Sequence, residues 1–192
     1  KYGSAYESVE EKGMAHFIEH LCFKGTANRT VKQIAEEVER VGGDLNAFTH
    51  EEVTAYHVKL PSEHLDIAMS VISDVFFNAI FPEEEVEKEG NVICEEIKMY
   101  KDNPIRHTIE KIKENLYEAP FGMSIAGSAE NVKGMSRDTL YNKHREAYVP
   151  SNSILCVVGS NDFEEVVEIA EKFSEKKDVV KVSVPKISEK IL

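Results

Sequence analysis

Three side chains, His16, Glu19 and His20, form the most chemically informative pattern in the sequence. Because an α-helix turns once every 3.6 residues, two histidines four positions apart point to the same side, and the glutamate between them falls there as well. Two neutral imidazoles in this arrangement can bind one metal ion, and the carboxylate then lies beside a water molecule that the metal holds. The spacing H-x-x-E-H therefore predicts a metal centre that activates water.

The residues around this pattern predict a short, partly enclosed helix. Gly13 precedes it and Gly25 follows it, and glycine commonly marks such boundaries. One stripe of the helix is apolar and is expected to face the core; it consists of Met14, Phe17, Ile18, Leu21 and Cys22. The opposite side carries the two histidines, Glu19 and Phe23 in place of the lysines and glutamates of an ordinary solvated face. The alternative interpretation is a surface helix on which two histidines coincide by chance.

A catalytic metal needs a third protein ligand, and the long helix predicted from Pro82 to Tyr100 offers two candidates. Glu89 and Glu96 are two helical turns apart, and both fall within the apolar stripe of that helix, whereas Glu95 points toward solvent. A carboxylate that faces inward needs a partner, since burying an unpaired charge is costly. We therefore expect a metal-ligating or metal-supporting role. The alternative is a buried lysine or arginine partner, but no basic residue shares their face within a turn.

Alternating helical and strand patterns predict the elements that position these side chains. A capping box, Thr30-x-x-Gln33, opens a helix that Gly42 and Gly43 close. Further helices are expected over residues 65–80, 82–101, 105–118, 136–147 and 163–173, strands over 53–60 and 153–158, a loop over 120–133, and a linker or edge strand in 176–192. Helices and strands in this mixture predict an α+β domain in which helices pack on a sheet.

Composition restricts the classes of protein to which the chain can belong. It has 192 residues, of which 42% are hydrophobic, and this is sufficient for one sizeable globular domain. The formal net charge of −12 argues against nucleic acid as a partner. No apolar run approaches the length of a membrane span, so no membrane partner is expected.

Cysteine usage predicts the compartment. The three cysteines, Cys22, Cys94 and Cys156, contain no C-x-x-C pair, and each lies in an apolar stretch typical of a small core residue. We therefore expect a reducing compartment, most simply a bacterial cytoplasm. Abundant Glu and Lys beside a single glutamine, Gln33, are typical of a thermophilic source.

Several motifs occur in the same order as in a known family. They are HFIEHLCFKGT at residues 16–26, GGDLNAFT at 42–49, ExTxY at 52–56, VICEEI at 92–97 and YxPxN at 148–152. In these motifs the chain resembles the pitrilysin-type, or inverzincin, zinc metallopeptidases, which include mitochondrial processing peptidase and insulin-degrading enzyme. The resemblance covers nearly the whole chain and is greatest to the bacterial processing-peptidase-like branch.

The resemblance assigns a role to each residue of the candidate centre. It implies His16, His20 and Glu96 as Zn²⁺ ligands, Glu19 as general base, and Glu89 as a second acidic residue that supports catalysis. It also implies that Asn46 and Ala47 bind the backbone of an extended peptide along a sheet edge. The alternative for that segment is a hairpin strand without a ligand.

The family fold is a mixed β-sheet with helices mainly on one face. This unit forms one half of a clamshell, and a second homologous half is either fused to it or supplied by another subunit. The resemblance therefore implies that residues 1–192 are the N-terminal catalytic domain of a longer chain, without its first strands and its second half.

These patterns together predict a zinc-dependent endopeptidase that acts on extended peptides. The main alternative is a non-catalytic partner or scaffold subunit of a processing-peptidase-like complex, because some members of the family have lost metal ligands. The presence of all the acid and imidazole positions argues against that alternative. A structural zinc site is the least favoured, since such sites usually take four Cys and His ligands and no cysteine lies on the motif stripe.

Overall fold

The computed structural model describes residues 1–173 and 188–190. In these residues, helices accompany one small antiparallel sheet, which confirms the expected α+β class. The helices are α1 (Met14–Cys22), α2 (Val31–Glu39), α3 (Leu65–Phe77), α4 (Glu83–Asp102), α5 (Pro104–Leu116), α6 (Ala129–Gly134), α7 (Arg137–Ala147) and α8 (Phe163–Phe173), and the strands are β1 (Asp44–Thr49) and β2 (Thr54–Lys59). Short 3₁₀ helices occupy Ser4–Tyr6, Ser62–His64 and Pro150–Asn152.

Helix α1 is part of the hydrophobic core. Its five apolar-stripe residues are all buried, as the periodicity predicts; they are Met14, Phe17, Ile18, Leu21 and Cys22. The helix begins after Gly13, which has a left-handed φ of 101°. A Cβ at Gly13 would lie only 2.6 Å from the carbonyl oxygen of Ala126. The start of α1 therefore requires glycine for both its backbone angle and this close approach.

A buried carboxylate holds the N-terminus of α1. Glu7 accepts hydrogen bonds from the backbone amides of Gly13 at 3.2 Å and Ala15 at 2.6 Å. The ammonium of Lys12 lies 3.7 Å from the same carboxylate and donates to the carbonyl oxygen of Ser4 at 2.6 Å. Both charged side chains have 0% exposure. An ion pair removed from water therefore fixes the first turn of the helix, whose amides lack partners within the helix, to the N-terminal segment.

Helix α4 packs alongside α1. Its buried residues are Val86, Glu89, Ile93, Cys94 and Ile97. Gly90 lies where the two helices meet, and a Cβ there would be 3.4 Å from the ring of Phe17. Because the helices approach this closely, polar side chains on one edge of α4 reach the polar side of α1.

Strands β1 and β2 form an antiparallel pair whose register runs from Asp44 opposite Lys59 to Thr49 opposite Thr54. Both strands contact α1, and β2 also contacts α3. The family resemblance implies a mixed sheet. In the described part of the chain, the sheet consists of these two antiparallel strands. The end of β1 at Thr49 is buried, whereas the residues before it alternate between exposed and half-buried.

The strand predicted over residues 153–158 is not formed. This segment has no regular structure, and Ile154 and Val158 are exposed. A strand requires a neighbouring strand to take its backbone hydrogen bonds, and the described residues place none beside it. Cys156 in the same segment is exposed as well. The prediction that it occupies the core is therefore wrong, although Cys22 and Cys94 are buried as expected.

The loop predicted over residues 120–133 contains most of a short helix, α6. Ser128 starts it, because its hydroxyl accepts a hydrogen bond from the amide of Asn131 at 3.1 Å. Serine followed by helix-compatible residues is a capping signal. The loop prediction is wrong here because a helix of six residues is too short to show a period.

The other predicted elements agree with the structure to within a few residues. Thr30 and Gln33 make both hydrogen bonds of the capping box. The tail predicted over 176–192 lies outside the described residues except for 188–190, where Glu189 forms an antiparallel bridge with Tyr117. None of the described helices combines the length and the apolar character that crossing a bilayer requires.

Candidate metal centre

The side chains of His16, His20 and Glu96 converge on one point. The Nε2 atoms of the two imidazoles each lie 3.6 Å from Oε2 of Glu96. Four ligands arranged tetrahedrally at zinc distances of about 2.1 Å lie about 3.4 Å apart. The observed spacing therefore fits three ligands of a single tetrahedral ion. Among the described residues 1–173 and 188–190, these three side chains form the only group of three or more His, Cys, Asp or Glu residues spaced closely enough to hold one metal ion.

Two polar atoms of this cluster are buried without a hydrogen-bond partner in the described part of the chain. They are Nδ1 of His16 and Oε2 of Glu96. A buried acceptor without a partner is costly. Since Oε2 of Glu96 is the atom that faces both imidazoles, a cation between the three side chains would provide the interaction that this carboxylate oxygen lacks.

Protonation of His16 is disfavoured. Burial and, to a smaller extent, the neighbouring His20 together lower the pKa of His16 to about 4, although Glu96 opposes the change. The rings of the two histidines lie close together, with centroids 4.6 Å apart. A neutral imidazole is the form that binds a metal, so the His16 ring is prepared for coordination at neutral pH.

Glu19 lies on the same side of α1 as the two histidines. Its Oε2 accepts a hydrogen bond from the hydroxyl of Thr49 at 2.5 Å, and the same hydroxyl lies 3.2 Å from that of Thr54. Burial raises the pKa of the Glu19 carboxyl, and the Thr49 hydrogen bond offsets part of that rise. A raised pKa makes a carboxylate a stronger base, which favours proton transfer to it. The contact also shows that the end of β1 adjoins the site.

Glu89 lies behind His20 rather than between the imidazoles. Its Oε2 is 3.0 Å from Nδ1 of His20, and its Oε1 is 2.8 Å from the ammonium of Lys24. Burial raises the pKa of Glu89, but the hydrogen bonds with His20 and Lys24 outweigh burial and hold the pKa below its usual value. The alternative of a basic partner therefore applies to Glu89, and that partner, Lys24, reaches it from the turn after α1 and not from the same face of α4.

The second oxygen of Glu96 is held by a neighbouring residue on α4. The hydroxyl of Tyr100 donates to Oε1 of Glu96, and the guanidinium of Arg106 lies 4.4 Å from the centroid of the Tyr100 ring. Because Oε1 is occupied, the other oxygen of the carboxylate is the one turned toward the imidazoles.

The two residues expected to bind a substrate backbone, Asn46 and Ala47, lie in the middle of β1. Asn46 is exposed, Ala47 is half-buried, and the amide of Ala47 donates to Oδ1 of Asn46 at 2.8 Å. In the described residues β1 pairs with β2 alone, so its other edge is not part of a ladder. Thr49 connects this strand to Glu19, which places the free edge next to the cluster.

Sequence reasoning missed three residues that hold the candidate site residues: Tyr100 contacts Glu96, Lys24 contacts Glu89 and Thr49 contacts Glu19. Tyr100 follows Glu96 by four positions, so the i, i+4 relation on a helix could have identified it. Lys24 follows His20 by four positions but lies beyond the end of α1, where helical periodicity no longer applies. Thr49 is 30 residues from Glu19, and no local pattern connects them.

The chain is similar in sequence to a known peptidase family and to several curated proteins. The model of the insulinase family of peptidases, M16, matches residues 1–129. A protein of Rickettsia felis named as an uncharacterized zinc protease is 40% identical over 173 residues, which are 90% of this chain and 42% of that protein. A probable mitochondrial-processing peptidase subunit beta of Arabidopsis thaliana is 35% identical over 91% of this chain and 33% of that protein.

Solved structures with the same fold include a protease from Helicobacter pylori. It superimposes with a TM-score of 0.90 at 27% identity, over 99% of this chain and 47% of that one. An M16 inactive domain from Pseudomonas fluorescens has a TM-score of 0.82 at 20% identity, over 96% of this chain and 46% of that one, and shows the likeness of fold alone. The chain spans less than half the length of each of these proteins.

Proposed function

Because the chain belongs to the insulinase family of peptidases, M16, we propose that it provides the metal-binding half of a zinc-dependent endopeptidase that hydrolyses extended peptides. The observation that carries the proposal is the position of Oε2 of Glu96, 3.6 Å from Nε2 of both His16 and His20. Glu19 on the same helix face supplies the base. The names of the relatives as zinc proteases support zinc as the metal.

His16, His20 and Glu96 would hold the ion, and three protein ligands leave one position open. Zinc bound there would polarise the scissile carbonyl and acidify a water molecule. Glu19 would take a proton from the attacking water at the carboxylate oxygen that Thr49 does not occupy, and would return it to the amine that is released when the peptide bond breaks. Glu89 keeps Nδ1 of His20 engaged, so that Nε2 of that ring faces the ion.

The substrate backbone is proposed to bind along the free edge of β1. A peptide added to this edge would form main-chain hydrogen bonds, which give affinity without reading each side chain. Asn46 and Ala47 lie at the centre of the edge, and Thr49 at its end contacts Glu19. A peptide paired with this strand would therefore have a peptide bond close to the carboxylate of Glu19.

We also propose that a second homologous half, fused or supplied as a subunit, closes over the site. The support is the size of the relatives, of whose length this chain covers 42% in Rickettsia felis and 47% in Helicobacter pylori. A wall opposite β1 would exclude bulk water and grip the peptide, and both effects favour hydrolysis over simple binding.

Metal analysis of the purified protein tests the proposal, and one zinc per chain is expected. Glu96→Gln removes the negative ligand, so its zinc affinity should fall by more than the roughly 10–100-fold that loss of an outer-sphere partner costs. Glu95→Gln is the matched control, because Glu95 is adjacent on α4 but is exposed and pairs with Lys98. Zinc affinity of the control should equal that of the wild type.

A peptide-digest assay on the same preparations separates the two functional candidates. Cleavage by the wild type in the form that carries both halves supports the peptidase. A wild-type chain that binds no zinc near neutral pH would instead support a non-catalytic partner, a role consistent with the inactive M16 domain that shares this fold.

Thr49→Val tests how the base is positioned. The substitution keeps the shape of the side chain but removes the hydroxyl that Glu19 accepts from. A hydrogen bond to a charged group contributes about 1.5–3 kcal/mol, so kcat should fall roughly 10- to 100-fold with zinc content unchanged. Thr49→Ser should restore most of the rate, and Thr54→Val, which leaves the Thr49–Glu19 contact in place, serves as control. Equal rates in Thr49→Val and wild type would exclude this role.

A further inference from the structure

Lys24 contacts the metal centre only through another side chain. It lies in the turn after α1, where its amide donates to the carbonyl oxygen of Leu21 and the next residue, Gly25, has a φ of 108°. From this turn its ammonium reaches Oε1 of Glu89 at 2.8 Å. The other oxygen of Glu89 lies 3.0 Å from Nδ1 of His20. A continuous chain of contacts therefore runs from Lys24 through Glu89 to a ring that faces the centre.

We propose that Lys24 is a positioning residue for the metal site, whose ammonium holds the Glu89 carboxylate so that Glu89 fixes the tautomer and orientation of the His20 ring. The proposal rests on the metal-binding role of His20 in the proposed function. Nothing in the arrangement requires Lys24 to touch substrate or metal.

The geometry of the carboxylate supports this role. A carboxylate that bonds only one imidazole can rotate about its side-chain torsions, and then either ring nitrogen of the histidine can carry the proton. The ammonium bound to Oε1 prevents that rotation and leaves Oε2 facing His20. With Oε2 accepting from Nδ1–H, the lone pair of His20 lies on Nε2, the atom that is 3.6 Å from Glu96.

The distribution of charged side chains around His16 and His20 also supports a positioning role for Lys24. Three carboxylates surround the two imidazoles, those of Glu19, Glu89 and Glu96. In the described residues, Lys24 is the only lysine or arginine that forms an ion pair with any of the three. The side chain of Glu89 is 8% exposed, and a carboxylate so buried would be strongly disfavoured without a cation beside it. Lys24 thus allows a second buried acid next to His20 without leaving it unpaired.

Zinc affinity measures the effect of Lys24 directly. Lys24→Met removes the ammonium but retains the aliphatic stem, and we expect the zinc dissociation constant, measured by competition with a chromophoric chelator, to rise roughly 10–100-fold. Lys24→Arg should restore most of the affinity. Lys88→Met is the matched control, because Lys88 is exposed and pairs with Glu84 and Glu85 instead of Glu89. Affinity in Lys24→Met within twofold of the wild type would overturn the proposal.

A double-mutant cycle distinguishes positioning from a general structural effect. If Lys24 acts through Glu89, Lys24→Met should change the zinc dissociation constant less than about twofold when introduced into Glu89→Gln, since the intermediary is already altered. Additive losses in the double variant would mean that Lys24 acts by another route and would contradict the proposal.

The His20 tautomer in metal-free protein gives a readout that does not depend on zinc. Nitrogen–proton correlation spectra of the imidazoles should show the proton on Nδ1 of His20 in the wild type and a mixture of tautomers in Lys24→Met. An unchanged tautomer would refute the role of Lys24 even if the wild type binds zinc. Conversely, absence of zinc binding in the wild type would defeat the proposed function, while the tautomer measurement would still decide the role of Lys24.

Discussion

Glu19→Gln is expected to remove most of the peptide hydrolysis while leaving zinc bound. The amide keeps the size of the side chain and can still accept from Thr49, but it cannot take a proton from water. General-base catalysis by a positioned side chain contributes about 10²–10⁴-fold, so kcat should fall by that factor. The rate is measured with a peptide digest on protein that carries both halves, and zinc content is determined on the same sample.

Two comparisons make this experiment decisive. Glu95→Gln introduces the same chemical change on an exposed side chain and should hydrolyse the digest at the wild-type rate. Zinc content in Glu19→Gln should equal that of the wild type, because Glu19 is not one of the three side chains that converge on the proposed ion. Full activity in Glu19→Gln would refute the assignment of this residue as the base.

The largest effect on stability is expected from the buried ion pair at the start of α1. Glu7→Gln leaves the fully buried ammonium of Lys12 without its carboxylate and weakens the acceptor of two backbone amides. Burial already opposes both charges, since it raises the pKa of Glu7 and lowers that of Lys12. Removing one partner of a buried pair costs about 3–5 kcal/mol. The free energy of unfolding, measured with urea on metal-free protein, should fall by that amount.

A double variant of Glu7 and Lys12 and a variant of the exposed Lys98–Glu95 pair are the controls for Glu7→Gln. Glu7→Gln combined with Lys12→Met should lose less stability than the sum of the single variants, because the double change no longer leaves a buried charge unpaired. Lys98→Met breaks an exposed pair with Glu95, and its free energy of unfolding should stay close to that of the wild type. A loss in Glu7→Gln as small as in Lys98→Met would show that the buried pair does not hold α1.

Zinc affinity should also fall in Glu7→Gln. The polar face of α1 carries His16 and His20, and Glu7 fixes the turn from which that face begins. A helix whose start is frayed holds its ligands less well, since a metal site requires them in nearly fixed positions. The stability of α1 and the metal affinity are thus coupled through one buried contact.

Local patterns in the sequence were sufficient for the helix faces and for a short list of candidate ligands. Helical periodicity separated Phe17 and Ile18 from His16 and Glu19, and in the structure the first two are buried and the other two are half-buried. The same reasoning selected Glu89 and Glu96, since a carboxylate on an apolar stripe needs a partner; in the structure Glu96 faces both imidazoles, whereas Glu89 contacts His20 from behind. These inferences succeed because the direction of a side chain on a helix depends only on the backbone and on position along it.

The sequence of residues 1–192 by itself determined which side chains could form a metal centre and on which helix faces they lie; only the tertiary structure decided their neighbours. The contacts of Glu19 with Thr49 and of Glu89 with Lys24 join different elements, and a periodic pattern specifies a face but not what packs against it. The strand predicted at 153–158 is absent for the same reason, since its sequence does not specify a neighbouring strand. An apolar run is compatible with a strand, but a strand exists only where another backbone accepts and donates its hydrogen bonds.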